Sequence, residues 1–137
     1  MTNFAKIISS GSYLPEKILT NKDLEGMVDT SDQWITERTG IKERRVSSIE
    51  ETSVDMAFHA SKDALSKSSI KKEDIGAIFL ATCTPERKFP STAVLLQNKL
   101  DIKNAFSVDI NAACTGFIYA LDIAKKYIES GQIKYAL

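Results

Sequence analysis

The sequence predicts an α/β domain. Two observations carry that expectation: short apolar runs of strand length alternate with stretches whose apolar residues recur at helical spacing, and no repeat, low-complexity tract or linker interrupts them. A third bounds it. A chain of 137 residues suits one domain and buries about two-thirds of its unfolded surface, enough for a core.

The elements follow in order. Residues 4 to 10 (FAKIISS) read as a first strand ended by Gly11. Thr20 or Asn21 can cap a short helix over KDLEGMV, and Ser31 can cap another over DQWITER, which carries Arg38 in its last turn and Gly40 just past its end. After Ile41 to Val46, Thr52 and Asp55 form a capping-box-like pair, with aspartate in place of the usual glutamate. They precede a helix with the stripe Val54, Ala57, Phe58, Ala64 and Leu65.

GAIFLAT (76 to 82) is a continuous apolar run, the pattern of a strand covered on both faces, and Ser91 then caps AVLLQNKL. AFSVDI (105 to 110) is the next strand. From Thr115 a helix runs through Phe117, Ile118, Leu121, Ala124, Tyr127 and Ile128 to stop at Gly131. KYAL opens a further apolar run at which the sequence stops without a turn residue, so the sequence reads as the front part of a longer protein.

The charge balance is even, 18 Lys plus Arg against 18 Asp plus Glu. No net field draws the chain to nucleic acid or an anionic membrane, so neither is expected as a partner. MTNFAKIISSG has no apolar core of signal-peptide length, and no stretch approaches the roughly 18 unbroken apolar residues that spanning a bilayer requires. A cytoplasmic location is expected. Its two cysteines, Cys83 and Cys114, could pair arithmetically. In a reducing compartment thiols more often stay free, as small hydrophobes or as nucleophiles.

Cys114 lies in DINAACTGF (109 to 117), where a strand hands over to a helix. Its sulfur would sit near unpaired backbone N–H groups and the positive end of the helix dipole, a setting that suits a nucleophile. Small residues at 111 to 113, with Thr115 and Gly116 after it, let the backbone turn sharply and leave room for a substrate. On residue type alone, a core thiol in a tight crossing is the commoner reading.

DINAACTGF resembles the active-site segment of the β-ketoacyl-acyl-carrier-protein synthase III family, thiolase-like condensing enzymes that start type II fatty-acid synthesis. The resemblance extends through GSYLPEKILTN (11 to 21), DTSDQWITERTGIKER (29 to 44), KFPSTA (88 to 93) and SGQIKYAL (130 to 137), in that order. It implies the amino-terminal half of a thiolase-like fold, a mixed sheet covered by helices cut at Leu137, with the second half absent from residues 1 to 137. Related thiolases, chalcone-type synthases and hydroxymethylglutaryl-CoA synthases share the cysteine idea, so a synthase acting on another acyl-CoA and a non-catalytic fragment or scaffold stay open as alternatives.

What the resemblance implies for the site is specific. Cys114 would accept an acetyl or other short acyl group from coenzyme A, its own backbone N–H helping to hold the oxyanion. Malonyl-acyl-carrier protein would then lose carbon dioxide and its enolate would attack the acyl-enzyme, with help from a histidine and an asparagine of the second half. The single histidine, His59, and the asparagines at 98, 104 and 111 do not match those positions.

Trp34 would stack on the adenine of coenzyme A, Thr30 would touch the base edge and Arg38 would approach a phosphate. Read without the resemblance, Trp34 is a core or interface anchor and Arg38 a charge at a helix end. Phe89 would close the acyl pocket, and Cys83 departs from the small hydroxyl residue the family carries nearby. Lys42, Arg44, Arg45, Lys71 and Lys72 could attract an acidic carrier protein, though scattered surface charge is the commoner explanation. No metal and no cofactor is expected, coenzyme A thioester entering as substrate. The implied partners are acyl-CoA, acyl carrier protein and, in the full-length family, a second copy as a homodimer.

Overall fold

The computed structural model of the chain describes residues 4–137. In chain order the elements are β1 (Lys17–Thr20), α1 (Asn21–Glu25), α2 (Asp32–Thr39), β2 (Glu43–Val46), α3 (Ser53–Ser66), β3 (Ile75–Ala81), α4 (Thr92–Leu100), β4 (Phe106–Ile110), α5 (Gly116–Glu129) and β5 (Tyr135–Ala136). They divide into two units, one formed by Leu14–Thr52, the other by the chain up to Tyr13 together with Ser53–Leu137.

In the Leu14–Thr52 unit, β1 and β2 pair antiparallel from Lys17 opposite Val46 to Thr20 opposite Glu43. Thr20 then caps α1 in a full capping box with Asp23. Ser31 caps α2 by accepting from Trp34 N, and Gly40 ends it in the left-handed region at φ 72°, where a side chain would be strained. Asn21, expected as an alternative cap, is buried to 1% exposure. Its Nδ2 donates to Asp32 Oδ1 (2.8 Å) and the Ile41 carbonyl (2.7 Å), and its Oδ1 accepts from Arg44 (2.8 Å), so one amide ties α1, α2 and β2 together.

The capping box also makes this unit acid-sensitive. The Asp23 carboxyl is held below the ordinary carboxylate value, chiefly by the Thr20 hydroxyl (2.6 Å) and then by the Thr20 N–H (2.8 Å). A folded value below the unfolded one contributes stability above the unfolded value, and that contribution is lost as pH falls through the folded value. Asp23→Asn is therefore expected to lower stability at neutral pH and to flatten its decline below about pH 4. Urea melts followed by Trp34 fluorescence check this, and an identical acid decline in both proteins would contradict it.

In the second unit the sheet order is β4-β3-β5, all parallel. The expected mixture of strand directions is therefore divided between two sheets. β3 lies in the centre as its unbroken apolar run predicts. The chain crosses from β3 to β4 through α4 and from β4 to β5 through α5, and with the right-handed connections that parallel strands favour the two helices fall on opposite faces. On one face Ile78 of β3 packs with Ala93, Leu96 and Leu100 of α4 and with Ile102, all at most 8% exposed. On the other, Phe79, Phe106 and Tyr127 of α5 form a ring cluster with centroids 5.0–6.1 Å apart.

Residues 4 to 10 are a correction to the sequence reading: they form no strand. β4 and β5 pair with the two edges of β3, and among the described residues no strand pairs with this segment. It is fixed instead by side chains, Ala5 N donating to Glu129 Oε1 (3.4 Å) and, further on, Ser12 N to Asp63 Oδ2 (3.0 Å). Gly11 is needed for close approach, since a Cβ there would lie 2.2 Å from the Ala60 carbonyl oxygen and 2.3 Å from Ala64 N, both backbone atoms of α3. Gly11→Ala is expected to cost about 1–3 kcal/mol, read from urea unfolding. A stability equal to the parent's would mean that the segment is not docked on α3.

Candidate active site

β3 and β4 run in register, Ala77 opposite Phe106 through Ala81 opposite Ile110, and the ladder continues one bond further from Thr82 N to the Ile110 carbonyl (3.1 Å). Beyond Ile110 the backbone reverses. Ala113 lies at φ 44°, in the left-handed region that non-glycine residues enter at a cost of about 1–3 kcal/mol, a strain that clusters at functional sites. A 3-10 turn over Ala113–Thr115 follows, closed by Thr115 N and Oγ1 donating to the Ala112 carbonyl (3.0 and 2.8 Å).

α5 then starts at Gly116, buried against β3, where a Cβ would come within 3.2 Å of the Ala81 Cβ. No side chain caps α5, so its first-turn N–H groups are left to other partners. Cys114 sits in the middle of this turn, exposed and free. Among the described residues it is not packed as a core thiol. The arrangement is a strand–turn–helix elbow presenting a sulfur at the carboxyl ends of two parallel strands.

Cys83 is also exposed and free, two residues past β3. Phe89 is 89% exposed in the loop before α4. That loop is tied to α3, Ser53 Oγ donating to the Thr84 carbonyl (3.4 Å) and Val54 N to Glu86 Oε1 (2.8 Å). Asp55 also pairs with Lys99 of α4.

In the other unit Thr30 is half-buried just before the Ser31 cap, and Trp34 is 53% exposed on α2. The structure brings Trp34 and Arg38 together, the guanidinium carbon lying 4.8 Å from the centre of the indole. His59 is exposed on α3 and stacks on Tyr13 with centroids 4.9 Å apart.

A concavity lined by Lys103, Phe106, Tyr127 and Lys134 opens at the amino ends of the same strands, the end opposite Cys114. Among the described residues no group of three or more His, Cys, Asp or Glu could hold a metal, and no helix is long and apolar enough to cross a membrane.

Sequence reasoning missed two positioning groups. One is Asn21, read as a cap where it is a buried hub. The other is Asp109 of β4, whose carboxylate accepts from Thr92 N (2.8 Å) and Ala93 N (2.6 Å) at the start of α4. An acidic residue inside an apolar strand run was the signal available for it.

A cysteine elbow at the carboxyl ends of a parallel sheet with helices on both faces fits the amino-terminal part of a thiolase-like fold. Solved structures of that class match it: 3-oxoacyl-[acyl-carrier-protein] synthase III from Aquifex aeolicus at TM-score 0.90 and 55% identity, covering 93% of this chain and 41% of that one. The corresponding synthase III from Thermus thermophilus gives TM-score 0.90 at 42% identity, covering 96% of this chain and 41% of that one.

More particularly, this sequence matches the amino-terminal part of β-ketoacyl-[acyl-carrier-protein] synthase III proteins. The family profile for 3-oxoacyl-[acyl-carrier-protein] synthase III matches residues 108–137. The Aquifex aeolicus protein is 55% identical over 132 residues, 96% of this chain and 42% of its own length. The Serratia proteamaculans protein is 50% identical over 134 residues, 98% of this chain and 42% of its own. The chain thus spans about two-fifths of the length of these relatives.

Proposed function

We propose that this chain is the acyl-accepting part of an initiating condensing enzyme of type II fatty-acid synthesis, working in the cytoplasm on acyl-CoA. One observation carries the proposal: the exposed Cys114 on its strained elbow, at an α5 terminus that no side chain caps. The Cys114 sulfur attacks the thioester carbonyl carbon, and the backbone N–H groups of the turn hold the oxyanion that forms. The bond from that carbon to the coenzyme A sulfur then breaks, the acyl group stays on Cys114, and coenzyme A leaves as the thiol with the proton that Cys114 gave up.

Coenzyme A is recognised by Thr30, Trp34 and Arg38. The Trp34 face not covered by Arg38 takes the adenine, and the guanidinium takes a phosphate. Phe89 and Cys83 bound the acyl pocket. Condensation with malonyl-acyl-carrier protein follows, through a histidine and an asparagine contributed outside residues 1 to 137, in an assembly that pairs two copies.

The test is protection from alkylation. A helix amino terminus generally activates a thiol, so brief iodoacetamide treatment of the folded chain is expected to label Cys114 about tenfold faster than Cys83, and acetyl-CoA is expected to suppress only the Cys114 label. Preferential labelling of Cys83, or a Cys114 label indifferent to acetyl-CoA, would favour a non-catalytic fragment.

A further inference from the structure

The nucleophile and the loop before α4 are mechanically joined by a group that nothing else assigns. Asp109 is the penultimate residue of β4, five residues ahead of Cys114. Its carboxylate spans sideways to the first turn of α4, one oxygen accepting from Thr92 N (2.8 Å) and the other from Ala93 N (2.6 Å). Thr92 and Ala93 are fully buried, and Phe89 lies three residues before Thr92. One bidentate contact therefore fixes the strand that delivers Cys114 against the helix whose leading loop presents Phe89.

Helix capping alone does not explain this contact. α4 already has its local cap, Ser91, which accepts from Val94 N. A carboxylate half-buried in a strand must offset its desolvation, and the positive end of the helix with two N–H donors does so through short charge-assisted bonds.

We propose that Asp109 is a positioning residue that sets the Cys114 elbow relative to the Phe89 loop, so that it governs oriented acyl transfer to Cys114. This rests on the reading of Cys114 as acyl acceptor. Neutralising Asp109 leaves two buried N–H groups with one good acceptor between them, and the end of β4 shifts with respect to α4. Misplacement of about 1 Å costs oriented reactions as much as 100-fold, whereas a small diffusing reagent needs no such alignment.

The experiment compares the parent chain with Asp109→Asn and Ser91→Ala, the second removing the local cap of the same helix without touching β4. Acetylation of Cys114 by acetyl-CoA and its alkylation by iodoacetamide are measured on each protein, alongside the thermal midpoint. The expected result is that Asp109→Asn slows acetylation by about 10- to 100-fold with alkylation within about twofold of the parent's. Ser91→Ala, although it lowers the midpoint, is expected to acetylate like the parent. Unchanged acetylation in Asp109→Asn, or equal slowing in both variants, overturns the proposal and leaves a merely structural cap. If Asp109→Asn does not fold, Asp109→Glu, which keeps both acceptor oxygens on a longer arm, is read on the same ratio of acetylation to alkylation. A parent chain that is never acetylated defeats the acyl-acceptor reading itself and this proposal with it.

Discussion

Cys114→Ser is expected to lose acyl transfer from acetyl-CoA by at least about a thousandfold while keeping the fold. The side chain is exposed in a surface turn, so an isosteric change there should alter stability by no more than about 0.5 kcal/mol. The chemistry changes far more. A serine hydroxyl attacks a thioester only with a general base to take its proton, and the single imidazole of the chain, His59, is stacked on Tyr13 from α3. Acetyl-CoA consumption and the thermal midpoint, measured on the same preparation, separate the two effects. A serine variant that turns over as fast as the parent would remove Cys114 from the nucleophile role.

The second large effect is an absence of product. The 137-residue chain alone is expected to stop at the acyl-enzyme and form no β-ketoacyl-acyl-carrier protein from malonyl-acyl-carrier protein. Decarboxylation creates an enolate whose charge must be held by donors aimed at it, and removing one such donor commonly costs about 100- to 1,000-fold. The resemblance assigns those donors to a histidine and an asparagine beyond the residues matched by this chain. His59 offers no substitute, because its ring is engaged on α3. Chromatography of the carrier-protein products decides the point, and steady condensation by the chain alone would mean that residues 1 to 137 hold an enolate site of their own.

How much of this was legible in the sequence depended on whether the controlling interaction was local. The caps at Thr20, Ser31 and Ser91 and the glycine stop at Gly40 were readable, because each is a bond between residues a few positions apart. So was the elbow, since a strand run, small residues and a helical stripe meet at Cys114.

Residues 4 to 10 show the opposite case. Their apolar residues are real, yet Phe4 and Ile7 are 82% and 71% exposed and the segment finds no ladder among the described strands. Periodicity specifies a willingness to pair, not a partner. β1 was missed because KILT is half polar and its partner lies more than twenty residues on, across two helices. Asn21, Asp109 and the Trp34–Arg38 stack depend on distances set only once the elements have packed or wound. For Asp109 the sequence shows only an acidic residue within an apolar strand run, while its direction onto a helix terminus is set by packing.

The most direct test of the central claim is a peptide map of the folded chain after incubation with acetyl-CoA, with mass spectrometry locating the added group. The expected result is a single acetyl group on Cys114 as a thioester that hydroxylamine removes, with Cys83 unmodified. A chain that stays unacetylated while its fold is intact, or one acetylated on Cys83 in place of Cys114, would contradict the assignment of the elbow as the acyl-accepting site.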